Sequence, residues 1–279
     1  MNETQQTLQT PDNFTLHTVS WMPEEGIPKA IILLVHGIAE HIGRYQHLAS
    51  YFVDKGYGVY GIDHRSHGKS SGETRAYFDD FVQSVDDLEL FFNQITATHP
   101  NHKIYVYGHS MGSLISLMLT LRRQAEIAGL ISTGTPINVD ELASPLLYRV
   151  GKLLQRIAPK MSFGKIAPEL LSHDPDVINH YKNDPLNFVR PARIHMIAEI
   201  IDRSREVRKE LMRLRLPLLL LHGEADQICP PSGSQFIFEK AGSPDKTLKF
   251  YPNLYHEIHN EPEKDAVFSD ILEWLNHRI

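Results

Sequence analysis

The sequence predicts an α/β fold in which helices cover both faces of a mostly parallel sheet. Two observations support this class. Short runs that are apolar almost throughout alternate with segments of helical periodicity, as expected for strands buried between two helical layers. This alternation stops between about residues 136 and 208 and then resumes. A chain of 279 residues can bury a large core, so we expect one core with an insertion.

The strands and helices are predicted in alternating order. The first strand, Phe14–Trp21, is expected to join the sheet antiparallel to the next apolar run, across the turn PEEGIP. The other predicted strands are Lys29–Val35, Gly58–Ile62, Lys103–Tyr107, Ala128–Ser132, Leu216–Leu221 and Thr247–Tyr251. The predicted helices of the core are Tyr45–Lys55, Phe78–Thr98, Met111–Arg122, Ser232–Lys240 and Lys264–His277. Reactive groups in such sheets collect at the carboxyl ends of the strands.

The insertion is predicted to be a helical cap over residues 136–208, with the core formed by 1–135 and 209–279. Seven prolines separate its short helical pieces. Its first helix has Ser144 as a candidate N-cap and Pro145 in the first turn. The apolar stripe of this helix consists of Leu146, Leu147, Val150, Leu153, Leu154 and Ile157. The stripe either packs on the core or lines an apolar tunnel for an acyl chain.

Composition excludes several classes of protein. Lys and Arg number 28 against 34 Asp and Glu, which gives a net charge of -6. This charge argues against a nucleic-acid-binding protein, which typically has an excess of basic residues. The N-terminal segment has no basic stretch followed by an apolar one, and no apolar run approaches a membrane span. The single cysteine, Cys229, rules out an internal disulfide and suits a reducing compartment. We expect a soluble, cytoplasmic protein, with transient membrane contact through the cap left open.

The segment YGHSMG predicts a nucleophilic serine. Ser110 lies between Gly108 and Gly112, after the apolar strand KIYVY and before a helical segment. In this context a G-x-S-x-G sequence forms a sharp strand-to-helix bend that exposes the serine hydroxyl, and glycine avoids collisions with the neighbouring elements. The alternative is an ordinary strand-to-helix turn.

A serine hydroxyl needs a base and a carboxylate to become nucleophilic at neutral pH. The strand LPLLLLHGEAD ends at Asp226, and the strand in TLKFYPNLYHEIH is followed by His256 and His259. We favour His256 as the base because it comes first after the strand. The negative charge that develops on the carbonyl oxygen of a substrate is stabilised by hydrogen-bond donors that already point at that oxygen. The backbone N–H groups of Met111 and Ile38 are the candidate donors.

Two other motifs resemble known binding motifs but lie in the wrong predicted secondary structure or have the wrong spacing. The glycines of Gly56–Gly61 spell G-x-G-x-x-G, but they lead into a strand rather than opening a helix, which argues against a dinucleotide site. The segment His36–His41 misses the zinc-binding H-x-x-E-H spacing by one residue and lies in a predicted loop. We therefore predict no metal and no cofactor.

Five ordered motifs give the chain a family resemblance. The segments HGIAEHIGRY, GIDHRSHGKSSG, GHSMGS, HGEADQIC and YHEIHNE, with KNDPL in the insertion, resemble the monoglyceride lipase and lysophospholipase-like group of serine hydrolases. The similarity runs from about Trp21 to the C-terminus. It implies the α/β-hydrolase fold and hydrolysis of monoacylglycerols or similar single-chain lipid esters through an acyl-enzyme.

The resemblance also implies a role for individual residues. It makes Ser110 the nucleophile, Asp226 the acid and His256 the base, with the oxyanion hole at Ile38 and Met111. The positions that match glycerol-binding groups of monoglyceride lipases are Glu40, Arg44, Tyr181 and His259. For Glu40 and Arg44 an ion pair that holds the loop is an equal alternative.

The chain departs from the family pattern at two positions. Ser66 replaces the usual glycine of DHRGHG, which is expected to strain that turn, and Ile38 is bulkier than in some relatives, which is expected to narrow the mouth of the site. Cys229 matches a cysteine that some relatives carry near the site, and we interpret it as an inert buried thiol.

Three alternatives remain at this point. A lysophospholipase would use the same residues on a different head group. A hydrolase-fold binding or signalling protein would carry a vestigial triad, but all three triad residues and the elbow glycines are present. A peptidase is disfavoured because the sequence shows no acidic pocket for a free amino terminus. The oligomeric state and the preferred acyl-chain length are not predicted.

Overall fold

A computed structural model describes residues 1–138, 145–162 and 167–279 and contains one eight-stranded sheet. The strands are β1 (Asn2–Gln9), β2 (Thr15–Met22), β3 (Ile31–Val35), β4 (Gly58–Ile62), β5 (Ile104–His109), β6 (Gly129–Thr133), β7 (Leu218–Gly223) and β8 (Lys246–Tyr251). Their spatial order is β1-β2-β4-β3-β5-β6-β7-β8. All pairs from β4 to β8 are parallel, which confirms the predicted mostly parallel sheet.

The antiparallel edge of the sheet differs from the prediction in two ways. Strand β2 does not pair with β3. It pairs antiparallel with β4 on one side and with β1 on the other, because PEEGIP carries the chain across the sheet instead of closing a hairpin. Strand β1 was not predicted. Its sequence NETQQTLQ is polar on both faces and almost entirely exposed, so it lacks the alternation that marks a half-buried strand.

Of the eight α-helices described, the five of the core agree with the predicted ones to within a few residues, and one helix of the insertion has 17 residues instead of forming a short piece. The eight helices are α1 (Gln46–Asp54), α2 (Phe81–Thr98), α3 (Met111–Arg123), α4 (Pro145–Ile157), α5 (Pro175–Asn183), α6 (Ile194–Glu210), α7 (Ser232–Lys240) and α8 (Lys264–Asn276). Helices α1 and α8 bury their apolar sides on one face of the sheet, and α2 and α3 bury theirs on the other. Helix α2 begins after Asp80, whose carboxylate accepts the N–H of Val82 and caps the helix.

The inserted segment contributes α4, α5 and α6 between β6 and β7. Helix α6 packs on α3, and its Met196 and Val207 belong to the main core. Helix α4 instead exposes part of its apolar stripe: Leu153 is 60% exposed and Ile157 is 71% exposed. Neither alternative for the stripe, packing on the core or lining a tunnel, accounts for these two side chains. The candidate N-cap Ser144 lies outside the described residues.

In the described ranges no helix is both long enough and apolar enough to cross a bilayer.

Candidate active site

Ser110 occupies the bend between β5 and α3. Its backbone has φ 52°, a left-handed conformation that L-residues rarely adopt, as expected of the sharp bend that presents a nucleophilic serine. A Cβ added at Gly112 would lie 2.2 Å from the carbonyl oxygen of Val35, and one at Gly108 would lie 2.6 Å from Cα of Ser113. Both glycines are therefore required by the close approach of backbone to the bend.

Asp226 and His256 are brought together by the loops that follow β7 and β8. The Nδ1 of His256 donates to Oδ2 of Asp226 at 2.7 Å. The same carboxylate contacts Nε2 of His222 at 3.0 Å, and its Oδ1 accepts the backbone N–H groups of Ile228 and Cys229 at 2.8 and 3.0 Å. Four donors thus hold the carboxylate in place, and the hydrogen bond to Nδ1 leaves Nε2 of His256 available for another partner.

These contacts shift the pKa values of both groups. Burial opposes ionisation of Asp226, but the charge of His256 and the hydrogen bonds from His222 and His256 outweigh it and hold the pKa of Asp226 well below its ordinary value. Burial likewise opposes protonation of His256, but the Asp226 carboxylate outweighs it and raises the pKa of His256. The pair therefore stabilises a protonated His256 beside an ionised Asp226.

Ser110 and His256 line one small cavity. The other residues that line it are Gly37, Ile38, Glu40, His109, Leu171, Tyr181, Ile228 and Glu257. The backbone N–H groups of Ile38 and Met111 have no hydrogen-bond acceptor among the residues described. The two N–H groups therefore remain available to a ligand.

A buried ion cluster joins the loop after β3 to the loop that carries His256. Arg44 donates to Glu257 through two nitrogens, at 2.7 and 2.6 Å, and to Glu40 at 2.5 Å. Glu40 also accepts the N–H of Gly37 at 2.7 Å and the hydroxyl of Tyr45 at 2.8 Å. Burial works against ionisation of Glu257, but Arg44 outweighs it and lowers the pKa of Glu257 to about 2. The structure thus places two carboxylates at the cavity, where the sequence had suggested no acidic pocket.

Glu40, His109 and Glu257 also form the one group of ligating side chains that lies close enough together to hold a metal ion in the part of the chain described. Their carboxylate oxygens already accept hydrogen bonds from Arg44. Arg44 therefore supplies one positive charge to two buried carboxylates, and at Glu40 burial outweighs the effect of Arg44, so the pKa of Glu40 is raised.

The four predicted glycerol-binding residues have different surroundings. Glu40 and Tyr181 line the cavity with Ser110, whereas Arg44 lines a neighbouring pocket and lies over the Tyr181 ring at 4.9 Å. His259 is fully buried, stacks on Tyr45 at 4.8 Å, and has no hydrogen-bond partner on either ring nitrogen in the described chain. Contact of any of the four with substrate stays a prediction.

Cys229 and Ser66 show the local consequences expected of them. The Cys229 thiol is buried beside Ser110, with which its side chain interacts, and burial raises its pKa well above the ordinary value. A raised pKa favours the protonated thiol, and the inert role of Cys229 stays a prediction. Ser66 adopts φ 62°, so a serine occupies the left-handed position for which glycine is better suited, which strains the turn.

Comparison with known proteins identifies the family. The model of the family described as serine aminopeptidase, S33, matches residues 26–263. The chain belongs to this S33 hydrolase family. It is 34% identical over 255 residues to the monoacylglycerol lipase of Mycolicibacterium smegmatis, covering 91% of this chain and 90% of that protein. It is 36% identical over 262 residues to the monoglyceride lipase of Rattus norvegicus, covering 93% and 86%.

A solved structure supports the same placement within the S33 family. The crystal structure of Paleococcus ferrophilus monoacylglycerol lipase matches with a TM-score of 0.84 and 30% identity, covering 95% of this chain and 99% of that one. The chain therefore has the α/β-hydrolase fold and is a monoglyceride lipase-like serine hydrolase.

Two residues of this S33 hydrolase site were not found from sequence. His222, four residues before Asp226, contacts the same carboxylate oxygen as His256, and its position at the end of an apolar strand is an available signal. Glu257 follows His256 directly, but its partner Arg44 lies 213 positions away. No local spacing relates those two residues, so only the folded chain reveals their pairing.

Proposed function

We propose that Ser110, His256 and Asp226 form a catalytic triad and that the N–H groups of Ile38 and Met111 form its oxyanion hole. The observation that carries the proposal is the hydrogen bond between Nδ1 of His256 and Asp226, in a loop that shares a cavity with Ser110. This bond fixes the tautomer that presents an unprotonated Nε2 as a base.

The proposed reaction is ester hydrolysis in two halves. Oγ of Ser110 attacks the ester carbonyl while Nε2 of His256 takes its proton, and the oxyanion accepts hydrogen bonds from Ile38 and Met111. The intermediate collapses to an acyl-enzyme, and His256 returns the proton to the departing alcohol. His256 then deprotonates a water that attacks the acyl-enzyme, which releases the fatty acid and restores Ser110.

The substrates we propose are monoacylglycerols. The relatives at 34% and 36% identity are a monoacylglycerol lipase and a monoglyceride lipase, and both match the chain over most of its length. The cavity beside Ser110 combines apolar side chains with carboxylates, as a ligand with an acyl chain and a polyol requires. Residues 136–208 are proposed as the cap over this cavity.

A substrate panel tests the proposal. Initial rates are measured on monoacylglycerols of rising chain length, on the matching lysophosphatidylcholines, and on an amino-acid arylamide. We expect the highest kcat/KM on a monoacylglycerol. Faster hydrolysis of the lysophospholipids would reassign the enzyme as a lysophospholipase, and release of amino acid from the arylamide at comparable rates would reassign it as a peptidase.

We also propose that helix α4 docks the enzyme on lipid surfaces. The side chains of Val150, Leu153 and Ile157 are exposed on α4, and Arg149 and Arg156 are exposed on the same helix. Apolar side chains beside basic ones are typical of helices that lie in the membrane interface.

Vesicle binding tests this docking. The double substitution Leu153→Ser and Ile157→Ser is expected to weaken co-sedimentation with anionic vesicles at least about tenfold, since two large apolar side chains no longer enter the interface. Ile27→Ser is the matched control, because Ile27 is 83% exposed outside the insertion, and it should bind as the unmodified protein does. Equal binding by all three proteins would contradict the proposal.

A further inference from the structure

The cavity beside Ser110 is lined by both acidic and apolar residues. Glu40 and Glu257 contribute carboxylates, whereas Ile38, Leu171 and Ile228 contribute alkyl groups. An acyl chain placed against buried carboxylates would desolvate them without offering a hydrogen bond, which is costly. The acyl chain of a bound ester therefore belongs against the alkyl groups, and its alcohol belongs next to the two glutamates.

Glu257 is rigidly held beside this cavity. Its carboxylate receives two hydrogen bonds from Arg44 and one, at 2.7 Å, from the side-chain amide of Asn260. Its backbone N–H donates to the carbonyl of Leu171 at 2.8 Å, and its side chain is 3% exposed. A carboxylate fixed by this many contacts cannot swing away from an incoming charge.

The cluster carries more negative than positive charge. One guanidinium, that of Arg44, faces two carboxylates, so the net charge is negative when both are ionised. Arg44 keeps Glu257 ionised, whereas burial raises the pKa of Glu40, so the net negative charge develops as the pH rises through the pKa of Glu40. Glu40 and Glu257 line the cavity with Ser110, whereas Arg44 lines a neighbouring pocket, so we expect an alcohol in the cavity to lie nearer to the glutamates than to Arg44.

We propose that Glu257 sets the charge specificity of the enzyme: with Glu40 it makes the cavity repel esters whose alcohol carries a phosphate, while neutral glycerol esters are accepted. This inference rests on the proposed ester hydrolysis at Ser110. Two like charges a few ångströms apart in a partly buried site repel strongly enough to change binding by one or more factors of ten. Rejection by an unfavourable charge is a common source of specificity.

The test compares two substrates that differ by one phosphate group. A decanoyl monoglyceride and its phosphate monoester are presented as monomers, and the ratio of their kcat/KM values is measured for the unmodified enzyme and for Glu257→Gln. We expect the unmodified enzyme to prefer the neutral ester at least about tenfold, and Glu257→Gln to reduce that preference at least about tenfold. Glu257→Asp keeps the charge and should keep most of the preference.

A matched control separates charge in the cavity from loss of a buried ion pair. Asp87 accepts two hydrogen bonds from Arg65, both at 2.7 Å, and lies away from the cavity that contains Ser110. Asp87→Asn should lower the melting temperature and leave the substrate ratio unchanged.

The possible outcomes distinguish failure of the charge specificity from failure of the proposed ester hydrolysis. An unmodified enzyme that hydrolyses both esters equally well would overturn the charge specificity without any variant being needed. An unchanged ratio in a folded Glu257→Gln enzyme would remove Glu257 from it. Hydrolysis of neither ester by the unmodified enzyme would instead overturn the proposed function.

Discussion

Substitution of Ser110 by alanine is expected to lower kcat on a monoacylglycerol by roughly 10⁴- to 10⁶-fold, the loss found when a triad nucleophile is removed. The alanine lacks the oxygen that forms the acyl-enzyme, and no other group can replace it in the two-step reaction. Rates are measured with a discontinuous fatty-acid assay at saturating substrate, with folding checked by thermal melting.

Ser116→Ala is the control for the Ser110 substitution. Ser116 is also a buried serine, and its hydroxyl donates to the carbonyl of Gly112 at 2.7 Å on the same helix. Its loss should change kcat by less than about threefold, since surface or core substitutions that keep packing act mainly on stability. A Ser110→Ala enzyme that kept a tenth of the original rate would require another nucleophile and would favour a vestigial triad.

Substitution of Asp226 by asparagine is expected to lower kcat by about 10⁴-fold. The single amide oxygen of asparagine would accept the N–H groups of Ile228 and Cys229, which leaves its NH2 group, a donor, facing Nδ1 of His256. The imidazole then loses both its tautomer and the charge that stabilises its protonated form. Asp87→Asn, which removes a buried carboxylate away from the cavity, is the control and should retain kcat. Comparable rates for the two variants would contradict the assignment of Asp226.

The pH profile gives the Asp226 substitution a second measurement. His256 must be unprotonated to accept the serine proton, so kcat/KM falls as the pH drops through the pKa of His256. That pKa is raised by the Asp226 carboxylate, which places the acid limb above the ordinary histidine value. Asp226→Asn removes the charge that raises it, so the acid limb of the residual activity should move to lower pH. A limb that stays in place would show that another group titrates.

Much of the fold follows from periodicity in the sequence. The strands β3 to β7 are apolar almost throughout, and the helices between them have a buried stripe, so both signals are strong and local. The edge of the sheet was harder to predict. Strand β1 has no buried face to constrain its residues, and whether β2 pairs with β3 or β4 depends on contacts between segments far apart in the chain.

The residues of the candidate site also differ in how well the sequence predicts them. Ser110, Asp226 and His256 follow the ends of apolar strands, so their residue types and their order along the chain are enough to indicate a triad. The ion cluster of Glu40, Arg44 and Glu257 depends on a pairing between two distant loops. The sequence contains the three residues but does not show that they lie close together, so only the folded structure reveals the charge of the cavity.

Covalent labelling measures the central claim most directly, namely that Ser110 is an activated nucleophile. The enzyme is treated with a fluorophosphonate, and the modified residue is located by peptide mass spectrometry, with Ser110→Ala treated in parallel. We expect one phosphonyl group on Ser110, loss of ester hydrolysis in proportion to labelling, and no labelling of the alanine variant. A folded enzyme that hydrolyses esters but is labelled at another residue, or is not labelled, would contradict the account.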